Sequence, residues 1–135
     1  MSAEVAIVAG GGGALGHATA ATLAVSRTVV AADRSEQALR DLPHHVRAEV
    51  AAPPTPAAAT RLIDRIARQV RAPGVLVSTI GAFRPGDALT TAPETLRLML
   101  DVNLGPALWL SQAAAPHTQR QGSGAIVHVA ARPGD

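Results

Sequence analysis

At 135 residues the chain suffices for one compact domain and leaves no room for a second of ordinary size, and without cysteine it has no disulfides, thiolate nucleophiles or Cys-ligated metals. Leu, Ile, Val and Phe fill 32 positions and Ala another 29, enough to fold around small and branched side chains, since Phe83 and Trp109 are its only aromatics. The net charge of +2 comes from 12 Arg, with no Lys, scattered among 10 acids; this excludes a clustered nucleic-acid face, and no apolar run reaches the roughly 18 residues of a membrane span, so a cytoplasmic setting is expected.

The first apolar run, Glu4 to Ala9, predicts a buried strand. A glycine run follows and opens a helix from Ala14 to about Val25. Gly11, Gly13 and Gly16 fit the G-x-G-x-x-G spacing. Glycine suits that place because a diphosphate must approach backbone amides at a helix N-terminus, where a β-carbon blocks the turn or the approach. The Ser26-Arg27 turn after this helix lacks the glycine expected at a helix C-terminus.

The second strand, Thr28 to Ala32, leads into Asp33, 17 residues past Gly16. At about that spacing an acidic side chain accepts hydrogen bonds from an adenosine ribose. A surface Asp that merely starts the next helix is the bland alternative. Strand, glycine turn, helix, strand and acid in one order point to dinucleotide binding. The charge of Asp33 repels a 2′-phosphate and favours NAD, while the neighbouring Arg34 leaves NADP open.

A short helix, Glu36 to Leu42, is expected behind a Ser35 cap, then a third strand, Val46 to Val50. The Pro-rich stretch Ala51 to Pro56 reads as a loop. The next helix has Thr55 as cap, Pro56 in its first turn and an apolar stripe of Ala59, Leu62, Ile63, Ile66 and Val70. A fourth strand spans Val75 to Thr79 and a long loop Gly81 to Ala92. Thr91 and Glu94 then stand at capping-box spacing ahead of a helix carrying Leu96, Leu100, Leu104 and Leu108, with a kink expected beside Asn103 where Gly105-Pro106 interrupts it. The last strand is Ala125 to Ala130. This alternation predicts an α/β chain with a Rossmann-type, doubly wound parallel sheet of about five strands in a single domain over 1–135.

On these motifs the chain resembles the short-chain dehydrogenase/reductase family over its whole length. The family turn T-G-x-x-x-G-x-G stands as Ala9, Gly10, Gly11 to Gly13, Ala14, Leu15 and Gly16, with Ala in place of the Thr and of the middle Gly. The Asp-Val pair that contacts adenine after the third strand appears as Glu49-Val50, and N-N-A-G after the fourth as Ser78-Thr79-Ile80-Gly81. The resemblance implies cofactor contacts at Gly10, Gly11, Gly13, Leu15, Gly16, Asp33, Arg34, Glu49, Val50, Ile80 and Gly81. It implies a catalytic-site role for Asn103 in Asp101-Val102-Asn103-Leu104, where the family Asn helps place a proton-relay water; a polar residue satisfying loosened backbone at a kink is the equal alternative.

What the resemblance implies for chemistry is hydride transfer between a nicotinamide cofactor and an alcohol or carbonyl substrate of unknown identity. Ala131 occupies the place of the family's catalytic Ser, and the chain contains neither Tyr nor Lys. Such a chain is expected to be a partial fold, truncated after the fifth strand, with an open strand edge and an uncovered apolar face, and to be catalytically incompetent by itself. The alternative function is a non-catalytic dinucleotide-binding or interaction module; a methyltransferase fits less well. Homo-oligomerisation is allowed but not required. His17, His44, His45, His117 and His128 show no metal-ligand spacing.

Overall fold

The computed structural model describes residues 4–131. Five strands form one parallel sheet in the order β3-β2-β1-β4-β5: β1 (Val5–Ala9), β2 (Thr28–Asp33), β3 (Arg47–Val50), β4 (Pro73–Ser78) and β5 (Ala125–His128). The three central strands are buried on both faces, which is why they are continuous runs of Val, Ile, Leu and Ala rather than alternating ones. At the edges the pattern changes. Arg47 and Glu49 put charge on β3, whereas Val127 on β5 and Val129 just past its end are exposed.

Helices α2 (Pro56–Gln69) and α4 (Gly105–Gln121) cover one sheet face, burying Leu62, Ile63, Ile66, Leu110 and Ala114 against Val5, Ile7, Val30 and Leu76. The other face carries α1 (Ala14–Leu23) and a short 3-10 turn, Gln37–Leu39, over Ala6, Val8, Val29 and Ala31. The α2 cap forms as expected, Ala58 N donating to Thr55 Oγ1 at 3.1 Å.

Several expectations are corrected. The helix foreseen over Glu36 to Leu42 is one 3-10 turn; Ser35 still caps it, accepting from Ala38 N at 3.2 Å. Helix α1 ends at Leu23 without glycine: Arg27 N donates to Leu23 O, and no non-glycine residue described takes positive φ. The Thr91–Glu94 capping box does not form. Thr91 turns its hydroxyl back to Asp87 O, and α3 (Pro93–Met99) starts at Ala92 with no side-chain cap, its first turn set by Pro93.

The kink is a π turn, Leu100–Leu104, in which Gly105 N reaches back to Leu100 O. Pro106 supplies no N–H in the next turn, so the wider spacing relieves a ladder that could not continue unbroken. The leucine row that reads as a buried stripe is not one: Leu96, Leu100, Leu104 and Leu108 are 57, 47, 60 and 45% exposed, and the face turned to the sheet is Pro106, Leu110 and Ala114.

Candidate functional site

The site forms where the chain leaves β1. Gly10 has φ +80°, a left-handed conformation that glycine adopts without a Cβ clash, and its N–H and that of Gly11 both donate to Ala32 O on the neighbouring strand. From the β4 side Thr79 N donates to Ala9 O, and the Thr79 hydroxyl lies 3.0 Å from Ala9 O and 3.1 Å from Gly10 O. The turn is thus held by both strands flanking β1. A Cβ on Gly12 would meet Ala38 and Asp33, and one on Gly16 would enter the Gly10 carbonyl; on Gly13 it would meet only Gly10 O, at 3.5 Å. Gly10, Gly11, Gly12 and Gly16, not Gly13, therefore carry the steric requirement.

An accounting of donors shows what the turn offers a ligand. Gly10, Gly11, Gly12 and Gly13 give their amides to Ala32 O, Ala32 O, Asp33 Oδ2 and Gly10 O. The amides of Ala14, Leu15 and Gly16 have no acceptor among the described residues. Helix α1 carries no cap side chain and no acid in its first turn, so its positive end is open to an anion.

Above this helix end lies a cleft of about 500 Å³. Its floor is Gly10, Gly12 and Gly13; one wall is Asp33, Arg34, Ser35 and Ala38, another Ala51 to Pro54, and the far side Thr79 to Ala82 with Asp101, Val102 and Pro106. Asp33 is half-buried, accepting from Gly12 N at 3.0 Å and Ser35 N at 2.9 Å. Arg34 beside it is exposed.

Of the residues singled out in the sequence, Gly10, Gly13, Asp33, Arg34, Ile80 and Gly81 line this cleft. Gly11 lies beneath the turn, packed toward Ala31, and Leu15 and Gly16 belong to the helix end below it. Glu49 and Val50 stand outside the lining. The Glu49 carboxylate is held 3.4 Å from both Arg47 and Arg65, and Val50 is exposed.

Asn103 closes the far side. Its Oδ1 accepts from Ala82 N at 3.0 Å, and its Nδ2 donates to Ala82 O at 3.0 Å and Met99 O at 2.8 Å, so the side chain clamps the loop after β4 to the π turn. Sequence reasoning missed Gly12, Thr79, Ser35 and the Pro53-Pro54 wall. A polar residue ending an apolar strand was a signal for Thr79, whereas the prolines read only as a loop.

Beyond the cleft rim, Asp87 organises the exposed loop. The Thr90 hydroxyl, then the amides of Thr90 and Leu89, hold its carboxyl below the usual carboxylate range. Among the described residues no cluster of His, Asp and Glu could hold a metal, and no helix is long and apolar enough to cross a membrane.

A model of short chain dehydrogenase sequences matches residues 4–135. The chain is 35% identical over 147 residues to the short-chain reductase protein NovJ of Streptomyces niveus, covering 96% of this chain and 53% of that protein. It is 32% identical over 110 residues to galactitol 2-dehydrogenase (L-tagatose-forming) of Cereibacter sphaeroides, covering 82% of this chain and 42% of that one. A short-chain dehydrogenase of Streptomyces avermitilis superposes with a TM-score of 0.86 at 25% identity, over 95% of this chain and 49% of its own. The chain spans about half the length of the curated relatives it matches. With a matching five-stranded fold, a glycine turn at its expected place and a family match over nearly every residue, the chain belongs to the short chain dehydrogenase family.

Proposed function

We propose that this chain is the nicotinamide-dinucleotide-binding part of an oxidoreductase that moves a hydride between the nicotinamide and a small alcohol or carbonyl substrate. The observation that carries the reading is the open N-terminus of α1: three unclaimed amides, at Ala14, Leu15 and Gly16, beside a cleft whose other end holds Asp33. Those amides take the diphosphate, Asp33 the adenosine ribose, Ala51 to Pro54 the adenine, and Ile80-Gly81 the backbone beside the nicotinamide ribose. The cofactor, when bound, supplies the hydride; the chain binds and orients it. NAD is the favoured cofactor because Asp33 opposes a 2′-phosphate, with Arg34 the one group beside it that attracts one.

Asn103 in this reading fixes the Gly81–Ala82 wall, and its Oδ1 keeps a lone pair for a relay water. A homo-oligomer fits the exposed leucines: their positions, 96, 100, 104 and 108, are symmetric about Val102, so a two-fold axis there sets Leu96 of one copy against Leu108 of the other, and Leu100 against Leu104. The setting proposed is the cytoplasm, and the partners are the dinucleotide and a small molecule. A second reading, a dinucleotide-binding module without hydride transfer, is favoured by Ala131, exposed where the family resemblance calls for Ser.

The test is titration of the full chain with NADH and NADPH by calorimetry. Binding of NADH, about tenfold or more tighter than NADPH from one repelled charge pair, is expected. Absence of binding by either at millimolar concentration overturns the reading.

A further inference from the structure

The Asp33 carboxylate faces inward as well as toward the cleft. Oδ2 accepts from Gly12 N at 3.0 Å, across 21 residues of sequence, and Oδ1 from Ser35 N at 2.9 Å. The fit is close: a Cβ on Gly12 would stand 2.6 Å from Ala38 Cβ and 3.0 Å from Asp33 Cγ. Gly10 and Gly11 are tied through Ala32 O to the β2 backbone, and the bond from Gly12 adds a side-chain tie from the next residue of the turn to the end of β2. Residues 10–13 are all glycine, the residue type with most backbone freedom to lose, and the Asp33 bond is the one that restrains the Gly12 amide within that run. A carboxylate offers about four acceptor directions. Two are filled internally and two remain for the diol of a ribose.

Resting on the dinucleotide reading, we infer that Asp33 is a positioning residue for the anion-accepting turn in addition to its place at the ribose end. Its bond to Gly12 fixes the turn so that the Ala14, Leu15 and Gly16 amides stay aligned toward one point, and ligand contact at one end of the cleft is coupled to the geometry of the other. The sign of the effect separates this from simple electrostatics. If Asp33 acts only through its charge, neutralising it helps any anion bind at the turn. If it acts as a latch, neutralising it hinders even an anion too short to reach position 33.

The experiment uses the full chain, Asp33→Ala, Asp33→Asn and inorganic pyrophosphate, with amide exchange and pyrophosphate titration followed by NMR. In the ligand-free protein, D33A accelerates exchange at both Gly12 and Ser35, about tenfold or more. D33N does so at one of them, because its amide nitrogen meets an N–H donor there; core amides of β1 and β4 stay protected in both. Pyrophosphate, read at the Ala14 and Leu15 amides, binds D33A about five- to tenfold more weakly than wild type, despite the lost negative charge. Unchanged Gly12 and Ser35 exchange in both variants, or pyrophosphate binding that tightens or holds in D33A, overturns the inference while leaving NADH binding by the wild type to support the broader reading. Failure of the wild type to bind either NADH or pyrophosphate overturns both.

Discussion

The glycine run illustrates how four identical residues can have four different duties. Gly10 adopts a left-handed backbone, Gly12 makes room for Asp33 and Ala38, and Gly11 packs on Ala31, but Gly13 has space for a methyl group and φ −75°. Gly13→Ala is therefore expected to keep NADH affinity within about threefold of wild type and to cost stability no more than a few tenths to about 1 kcal/mol through its effect as a helix cap. Gly16→Ala drives its Cβ into the Gly10 carbonyl and is expected to destabilise by about 1–3 kcal/mol, as overpacking does. Urea unfolding of both variants beside an NADH titration checks the pair; equal losses would show that the turn is shaped by something other than these contacts. In sequence these glycines were interchangeable. Neighbours distant along the chain, Thr79, Ala31, Asp33 and Ala38, distinguish Gly10, Gly11 and Gly12, and the Gly10 carbonyl distinguishes Gly16 from Gly13.

Helices were legible to the extent that their signals were local. The α2 cap, the proline in its first turn and its stripe lie within one stretch, and the structure has each of them. The segment from Leu96 to Leu108 carries an equally regular leucine row, and there periodicity misled, because an apolar stripe records that a face is apolar and not what covers it. The insertion of a π turn at Leu100–Leu104 also rotates the later part of the helix relative to the earlier. The face that meets the sheet is marked by Leu110 and Ala114, both essentially inaccessible. Leu110→Ala is expected to destabilise by about 2–5 kcal/mol, and Leu104→Ala by about 0.5 kcal/mol or less if the surface is free. Chemical denaturation at low protein concentration checks this; a large loss for Leu104 would place it in a packed interface.

Over the whole molecule, the apolar surface is distributed unevenly. The leucine row is exposed, as are Val127 on the edge strand β5 and Val129 just past it, and exposed apolar rows and strand edges are surfaces that associate. Sedimentation equilibrium on the wild type is expected to show self-association at micromolar concentrations, and the double variant Leu100→Glu/Leu104→Glu to return the chain to a monomer by placing four carboxylates about the two-fold axis. A monomeric wild type would remove the leucine row as a homotypic interface.

The sequence by itself determined the class of fold and where the glycine turn stands in it: buried strand runs alternating with helices dictate a covered parallel sheet, and the glycine turn and Asp33 fall at the ends of β1 and β2. These signals are local in sequence. Only the tertiary structure decided which amides of the turn have no acceptor among the described residues, that Asp33 is already bonded to Gly12 and Ser35, that Glu49 turns to Arg47 and Arg65, and that Asn103 holds Ala82. Each of these is a competition among partners distant along the chain, and a hydrogen-bonding group goes to whichever partner the fold brings within about 3 Å.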